Sequence, residues 1–230
     1  MNETEINQAD SLVIIEKLVA KCQRCDLYRT KTKDVPGVGN EHAGVMFIGE
    51  GPGKDEDLQG EPFVGAAGKF LTEMILSQNM KRADVYIANV IKHRPPNNRD
   101  PLPDEIEACW RYLRRQIELI QPKLIVFLGR HAMNRFFPEM QISKVHGQAF
   151  RKDFNGKKQV FLALYHPAAA LYNGSMRQTL MADFAKIPKI LKKIDLESHP
   201  DEGEGSQDSS VSSQNGNNDN NHPIKQDKLF

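Results

Sequence analysis

Between Ser11 and Lys21 the apolar residues Leu12, Ile14, Ile15, Leu18 and Val19 recur at helical spacing on one face, which predicts a helix running directly into Cys22. Four later runs have a different rhythm. Val45–Gly49, Val85–Ile91, Leu124–Leu128 and Val160–Tyr165 are short, almost continuously apolar and rich in β-branched or aromatic residues, the pattern of strands buried on both faces. Helix-length segments lie between and after them at 66–79, 103–120 and 131–137, and an amphipathic stretch at about 175–194 follows the last run. Strands alternating with helices predict an α/β fold, a single domain with a central parallel four-stranded sheet flanked by helices.

In such a sheet the working residues gather where the strands end. The first run leads into Gly49-Glu50-Gly51-Pro52-Gly53. The second contains Asn89 and leads to Lys92-His93-Arg94-Pro95-Pro96, and the fourth ends in His166-Pro167. The third ends in Gly129-Arg130-His131, which reads as a plain strand-to-helix turn.

Charge changes the picture once the chain is divided. The net charge of +1 conceals a break near Leu196: residues 197–230 hold seven acids and two bases, leaving 29 of the 31 basic and 23 of the 30 acidic residues in 1–196. A cationic body suits a polyanionic partner, because Lys and Arg contacts to phosphates release counterions. Residues 197–230 are Ser-, Asn-, Gln-, Gly- and Asp-rich, with Val211 and Ile224 the only aliphatics before the last two positions; too little apolar surface remains to offset ordering entropy, so a disordered tail is expected there. No stretch reaches the roughly 20 apolar residues of a membrane helix, and the N-terminal residues lack the order of a signal peptide. A soluble, cytoplasmic protein is expected.

Several residues invite chemistry. Gly49 to Gly53 lacks the Lys-Ser/Thr of a phosphate loop and the spacing of a dinucleotide fingerprint, but a glycine-rich turn lets backbone approach a flat ligand, with Glu50, Glu56 and Asp57 nearby. Phe63, between Pro62 and glycines, is either a core ring or a stacking platform for a base. Asn89 inside an apolar strand must have its amide paired, by backbone or by a base edge of matching donor and acceptor. His166 at a strand end can donate to a developing anion. Three cysteines form no disulfide framework. Cys22, Cys25, Cys109 and His93 together can bind zinc or an iron-sulfur cluster, and spacing does not choose between them.

The segments GEGPGKDEDLQGEPFVGAAGKFL (49–71), ANVIKHRPPNNRDPLPDEIEAC (88–109) and HPAAAL (166–171) resemble the family-four uracil-DNA glycosylases, over about residues 12–194. The resemblance implies the single-domain fold of that superfamily, hydrolysis of the N-glycosidic bond of deoxyuridine in DNA as in base excision repair, and a structural 4Fe-4S cluster. Its ligands would be Cys22, Cys25 and Cys109, with His93 where the family has a fourth cysteine; zinc is the other occupant considered. Phe63 would stack on the flipped uracil, Asn89 would read its edge, and Glu50 and Gly51, with Pro52 and Glu56, would line the pocket. His166 would stabilise the departing anion. Gly51 stands where other branches carry an aspartate that orients water; Glu50 or Glu56 would help position it instead, with His166 and Glu50 the catalytic residues, and catalysis is expected to rest on electrostatic stabilisation. The related branch that becomes trapped covalently on DNA has a basic insertion that Arg94–Arg99 lacks, so ordinary turnover is expected. Leu171 would be the wedge that replaces the flipped base.

The last five residues, Gln226 to Phe230, match the Gln-x-x-Leu-Phe peptide with which bacterial proteins bind the replication sliding clamp; Gln226, Leu229 and Phe230 would make the contact. The expected partners are thus uracil-containing DNA and the clamp, with the enzyme working as a monomer. Two other readings stand beside this one: a non-catalytic DNA-binding module whose cluster senses redox state, and a glycosylase for another deaminated base.

Overall fold

Strands stand where the continuous apolar runs do. The computed structural model describes residues 3–198. In chain order the strands are β1 (Val38–Gly39), β2 (Val45–Gly49), β3 (Tyr86–Asn89), β4 (Leu124–Leu128), β5 (Ala149–Phe154) and β6 (Lys157–Leu164). The helices are α1 (Glu3–Gln8), α2 (Leu12–Ala20), α3 (Lys54–Gln59), α4 (Ala66–Ser77), α5 (Pro103–Ile120), α6 (Arg130–Asn134), α7 (Ile142–Val145), α8 (Gly174–Phe184) and α9 (Ile187–Ser198). One sheet has the order β1-β3-β2-β4-β6-β5. Its central strands β3, β2, β4 and β6 are parallel, the expected four, and short antiparallel strands close both edges.

Every residue of β2, β3 and β4 is buried, which is why these runs are continuous rather than alternating. The period of two survives in direction. Met46, Ile48, Ile125 and Phe127 turn toward Leu113 and Ile117 of α5. Phe47, Val126, Leu162 and Leu164 turn toward Phe70, Leu71 and Met74 of α4 and Phe184 of α8. A third cluster seats Ile6 of α1 and Ile15 and Val19 of α2 against Tyr112 of α5.

Helix α5 spans the expected residues. Pro103 stands in its first turn, where a missing N–H costs nothing, and the Glu105 carboxylate accepts the Leu102 N–H at 2.8 Å. The expected helix at 131–137 is shorter and begins one residue earlier, at Arg130. The amphipathic stretch at 175–194 is two helices, α8 and α9. Pro188 explains the break: it has no N–H to give to the Phe184 carbonyl and its ring would strike that carbonyl. The β5–β6 hairpin was not expected as such. Asn155 and Gly156 turn it with φ of 53° and 76°, the left-handed pair that a two-residue hairpin loop requires. The tail carrying Gln226, Leu229 and Phe230 lies outside the described residues.

Candidate functional site

Because β2, β3, β4 and β6 run parallel, their C-terminal ends meet along one edge of the sheet. There a cavity of about 360 Å³ is walled by Glu50, Gly51, Pro52, Glu56, Phe63, Asn89 and His166. All the substrate-contacting residues expected from the sequence thus share one cavity. Gly53, Ala67, Pro95, Asn98, Arg99 and Ala168 complete its wall. A larger groove of about 570 Å³ lies at the other end of the strands, among Gln121, Lys123, Asn155 and Lys157. It contains none of the residues expected from the sequence.

Gly49 and Asn89 are paired across β2 and β3. Asn89 is 1% exposed, and its side-chain oxygen is buried without a hydrogen-bond partner. A bare buried acceptor costs about 1–3 kcal/mol, so this atom is poised for a donor that the chain does not supply. Room for it exists only because residue 49 is glycine: a Cβ there would stand 2.4 Å from the Asn89 oxygen and 2.6 Å from the Phe63 ring. Behind Asn89, the buried Lys92 ammonium donates to the Asn89 carbonyl at 2.8 Å and to Gln116 at 2.7 Å. Burial draws the Lys92 amine down to about 7.

Phe63 adopts φ of 54°, a costly conformation for a bulky residue. The surroundings hold it there. Glu56 accepts N–H bonds from Val64 and Gly65, both at 2.9 Å, with one carboxylate oxygen, and from Gly53 at 3.1 Å with the other. Arg82 donates to the Pro62 carbonyl. Glu56 therefore braces two loops at once, and its carboxylate is spent on backbone rather than free to direct water.

His166 lies with its ring centroid 5.6 Å from that of Phe63. Its Nδ1 accepts the Ala168 N–H at 3.1 Å, so the neutral ring carries its proton on Nε2. Burial lowers its pKa to about 4, with Glu56 opposing and His131 adding to the shift. The imidazole is a neutral donor over the physiological range. Gly129, at φ of 98°, lets β4 pass beneath it: a Cβ there would lie 3.1 Å from His166 Cβ. The turn after β4 is consequently not the plain connection it reads as. It also brings His131 to 3.8 Å from Glu50 and 3.3 Å from Asp100. Burial raises the Glu50 pKa, an effect that His131 and Arg130 reduce and Asp100 reinforces. No sequence signal marked His131, since its partners come from distant loops. Leu171 follows the 3-10 turn Pro167–Ala170 and is 38% exposed; Tyr172 beside it is 95% exposed.

The expected metal ligands lie on the α5 side of the sheet. Cys25 hydrogen-bonds with Cys109, which draws its thiol down to about 5 with further help from His93, while Cys109 is pushed up. The Cys109 sulfur also receives the Lys92 backbone N–H. His93 is 1% exposed, gives Nε2 to Asp34 at 3.0 Å, and leaves Nδ1 buried without a partner. An imidazole oriented by a carboxylate with its other nitrogen bare is the arrangement of a metal ligand. Cys22, buried, hydrogen-bonds with Tyr112, one turn along α5 from Cys109. The donor set fits a metal group. Among the described residues, however, the only three such side chains with ligand atoms all within 4.8 Å of one another are Glu50, Asp100 and His131. Cys22, Cys25, Cys109 and His93 form no such compact group. Among the described residues no helix is long and apolar enough to cross a membrane.

Comparison with known proteins agrees with this geometry. Residues 36–192 match the family described as the uracil DNA glycosylase superfamily. The chain is 52% identical over 189 residues to a type-4 uracil-DNA glycosylase of Archaeoglobus fulgidus, covering 80% of this chain and 95% of that one. It is 42% identical over 184 residues to the type-4 uracil-DNA glycosylase of Thermotoga maritima, covering 78% and 94%. A type-5 uracil-DNA glycosylase of Pyrobaculum aerophilum is more distant, 30% identical over 141 residues and 49% of this chain.

Proposed function

The chain belongs to the uracil-DNA glycosylase superfamily, in its type-4 branch, and from that premise we propose how its cavity excises uracil from DNA. The enzyme hydrolyses the N-glycosidic bond of deoxyuridine and leaves an abasic site, the first step of base excision repair. The observation that carries the reading is the bare, buried Asn89 oxygen in a cavity that also holds Phe63 and the neutral His166.

The base must leave the helix to reach this cavity. Leu171, exposed on the loop after His166, fills the gap it leaves. Phe63 stacks on the ring. The Asn89 oxygen accepts from uracil N3–H and its NH₂ donates to O4; cytosine would set an N3 lone pair against the same oxygen, a mismatch of about 1–3 kcal/mol. Glu50, Gly51 and Pro52 line the side toward the sugar.

As the C1′–N1 bond breaks, its electron pair passes to uracil and spreads onto O2 and O4, while C1′ becomes cationic. His166 donates its Nε2–H to O2, and a donor of this kind is worth about 2.7–4 kcal/mol. Glu50 faces the sugar cation; water adds to C1′, and the proton it loses passes through solvent to the departed uracil anion, leaving the abasic sugar and neutral uracil. Gly51 contributes no base. A side chain there is also sterically opposed, since a Cβ would meet Ile91 at 2.7 Å.

Cys22, Cys25, Cys109 and His93 would hold the iron-sulfur cluster, which would supply a structural cross-link between the segment after α2, the loop after β3 and helix α5. The unpartnered Nδ1 of His93 supports its place in the set. The C-terminal Gln226, Leu229 and Phe230 would tether the enzyme to the sliding clamp. Deleting 226–230 should abolish capture by the clamp and leave excision intact; capture that survives the deletion removes this role.

The decisive experiment incubates the protein with a labelled uracil-containing oligonucleotide and cleaves abasic sites with alkali. Uracil-dependent cleavage that disappears in Asn89→Ala and His166→Ala is expected. Intact oligonucleotide from the wild-type protein with its metal site filled would overturn the proposal in favour of a non-catalytic DNA-binding module.

A further inference from the structure

The peptide unit that follows the base-reading side chain is held at both ends. The Val90 N–H donates to the Gly49 carbonyl at 2.9 Å, and the Asn89 carbonyl receives an N–H of Lys92 Nζ at 2.8 Å. Strand β3 ends at Asn89, and this second bond comes from a side chain rather than from a neighbouring strand. Lys92 is 1% exposed. Its own backbone is fixed, with its N–H on the Cys109 sulfur and its carbonyl taking the Val35 N–H at 2.9 Å. Nζ gives a further hydrogen bond to Gln116 Oε1 of α5 at 2.7 Å. The Gln116 amide is fixed in turn, since its Nε2 donates to the Pro36 carbonyl at 2.8 Å and to the Tyr86 hydroxyl at 3.1 Å. Neither Lys92 nor Gln116 lines the cavity.

We propose that Lys92 is a positioning residue for uracil recognition: through the Asn89 carbonyl it fixes the peptide plane from which the Asn89 amide is aimed into the cavity, and Gln116 holds Lys92 in place. This rests on the role given above to Asn89. Taking an amine out of water is costly, and an aliphatic side chain would pack in this core without that cost. What it could not do is supply donors to the Asn89 carbonyl and to Gln116 Oε1, two buried acceptors. Two N–H groups suffice for both, and the nitrogen carries them whether or not it is protonated, so the arrangement does not depend on its charge. The effect on the amide is direct. With the Asn89 side-chain oxygen unpartnered, no bond from that oxygen corrects a tilt of the backbone behind it. A tilt of the Asn89–Val90 plane therefore displaces the amide from a base that it must meet within about 0.5 Å.

The test is a double-substitution cycle on the single-turnover excision rate at saturating uracil-containing DNA. Lys92→Met keeps an unbranched side chain and removes its donors; it should lower the rate by about ten- to a hundredfold, with affinity for an abasic duplex unchanged. Because Lys92 acts through Asn89, the double variant Asn89→Ala/Lys92→Met should excise within about twofold of Asn89→Ala alone, whereas general damage to the fold would multiply the two losses. Gln116→Met leaves Lys92 its bond to Asn89 but frees its other side, and should show the same pattern with a smaller loss; it carries the test if Lys92→Met does not fold. Multiplied losses in the double variant, or a wild-type rate in Lys92→Met (in Gln116→Met where Lys92→Met does not fold), overturn the proposal. If Asn89→Ala excises at the wild-type rate, the role of Asn89 fails first and takes this one with it; if Asn89→Ala is impaired while Lys92→Met keeps the wild-type rate, only the role of Lys92 fails.

Discussion

Replacing Gly49 with alanine adds one methyl group at the place where the uracil-reading amide and the stacking ring converge. A Cβ at residue 49 would lie 2.4 Å from the Asn89 side-chain oxygen and 2.6 Å from two atoms of the Phe63 ring, where ordinary contact begins at 3.4 Å. The neighbours must therefore yield by about 1 Å. Phe63 has little freedom to retreat, since its carbonyl oxygen packs so closely on Gly68 that a Cβ there would come within 1.9 Å. Its conformation is also locked through the Glu56 bonds to Val64 and Gly65. Asn89 must then absorb most of the displacement, and a misplacement of this size costs on the order of 10²-fold in rate. Overpacking should also cost about 1–3 kcal/mol of stability, which for a domain of this size is about 2–4 °C per kcal/mol. Single-turnover excision, thermal unfolding and binding to an abasic duplex measured on the same preparation separate these effects. Excision within about threefold of wild type would refute the argument that Gly49 makes room for the reading amide, whatever the melting temperature does.

Three further outcomes follow from the site. His166→Gln should lower single-turnover excision by about 10²–10³-fold, the loss of one donor to a developing anion, with little change in DNA affinity by anisotropy. Because burial holds the folded His166 at about 4, below an unfolded value near 6.5, only the unfolded chain takes up the proton between those values. The wild type should then lose stability as pH falls from 6.5 to 4, by on the order of 1–3 kcal/mol since the ring edge opens on the cavity, and His166→Gln should lose less; parallel stability curves for the two proteins would contradict the assignment. Glu56→Gln should lower stability by about 1–3 kcal/mol and activity with it, because one of its three backbone donors would meet an NH₂ group, whereas Glu50→Gln should lower activity alone; equal melting temperatures for Glu56→Gln and wild type would show that the brace is dispensable. His93→Cys should keep iron and acid-labile sulfide at wild-type content and lower the reduction potential, since imidazole ligation raises it; an unchanged potential would place His93 outside the ligand set.

What could be read from the sequence was what local pattern determines. Val45–Gly49 and Leu124–Leu128 are continuous apolar runs, and both are strands to the residue. The 103–120 helix carries its own start in Pro103 and Glu105. Glu50, Phe63, Asn89 and His166 could be nominated because each is chemically out of place at a strand end or in a glycine-rich loop. The omissions have physical causes as well. The β5–β6 hairpin has a half-exposed outer strand with a weak apolar signature, although Asn155-Gly156 was a legible turn signal. Pro188 was an equally legible helix break. His131 was not legible: its meaning comes from Glu50 and Asp100, which are far away in sequence. The braced state of Glu56 was hidden for the same reason, since its partners are backbone amides on two separate loops.

The fixed tautomer of His166 bears on how the enzyme lets go. A neutral imidazole forms its strongest bond to O2 while that oxygen carries charge, and an ordinary one to the protonated base before and after. An imidazolium in its place would grip the uracil anion as an ion pair and slow its escape. With Ala168 holding Nδ1 and burial keeping the ring uncharged, the free base meets no such trap, so product inhibition by uracil should be weak, and repeated turnover is limited by parting from the abasic strand rather than from the base.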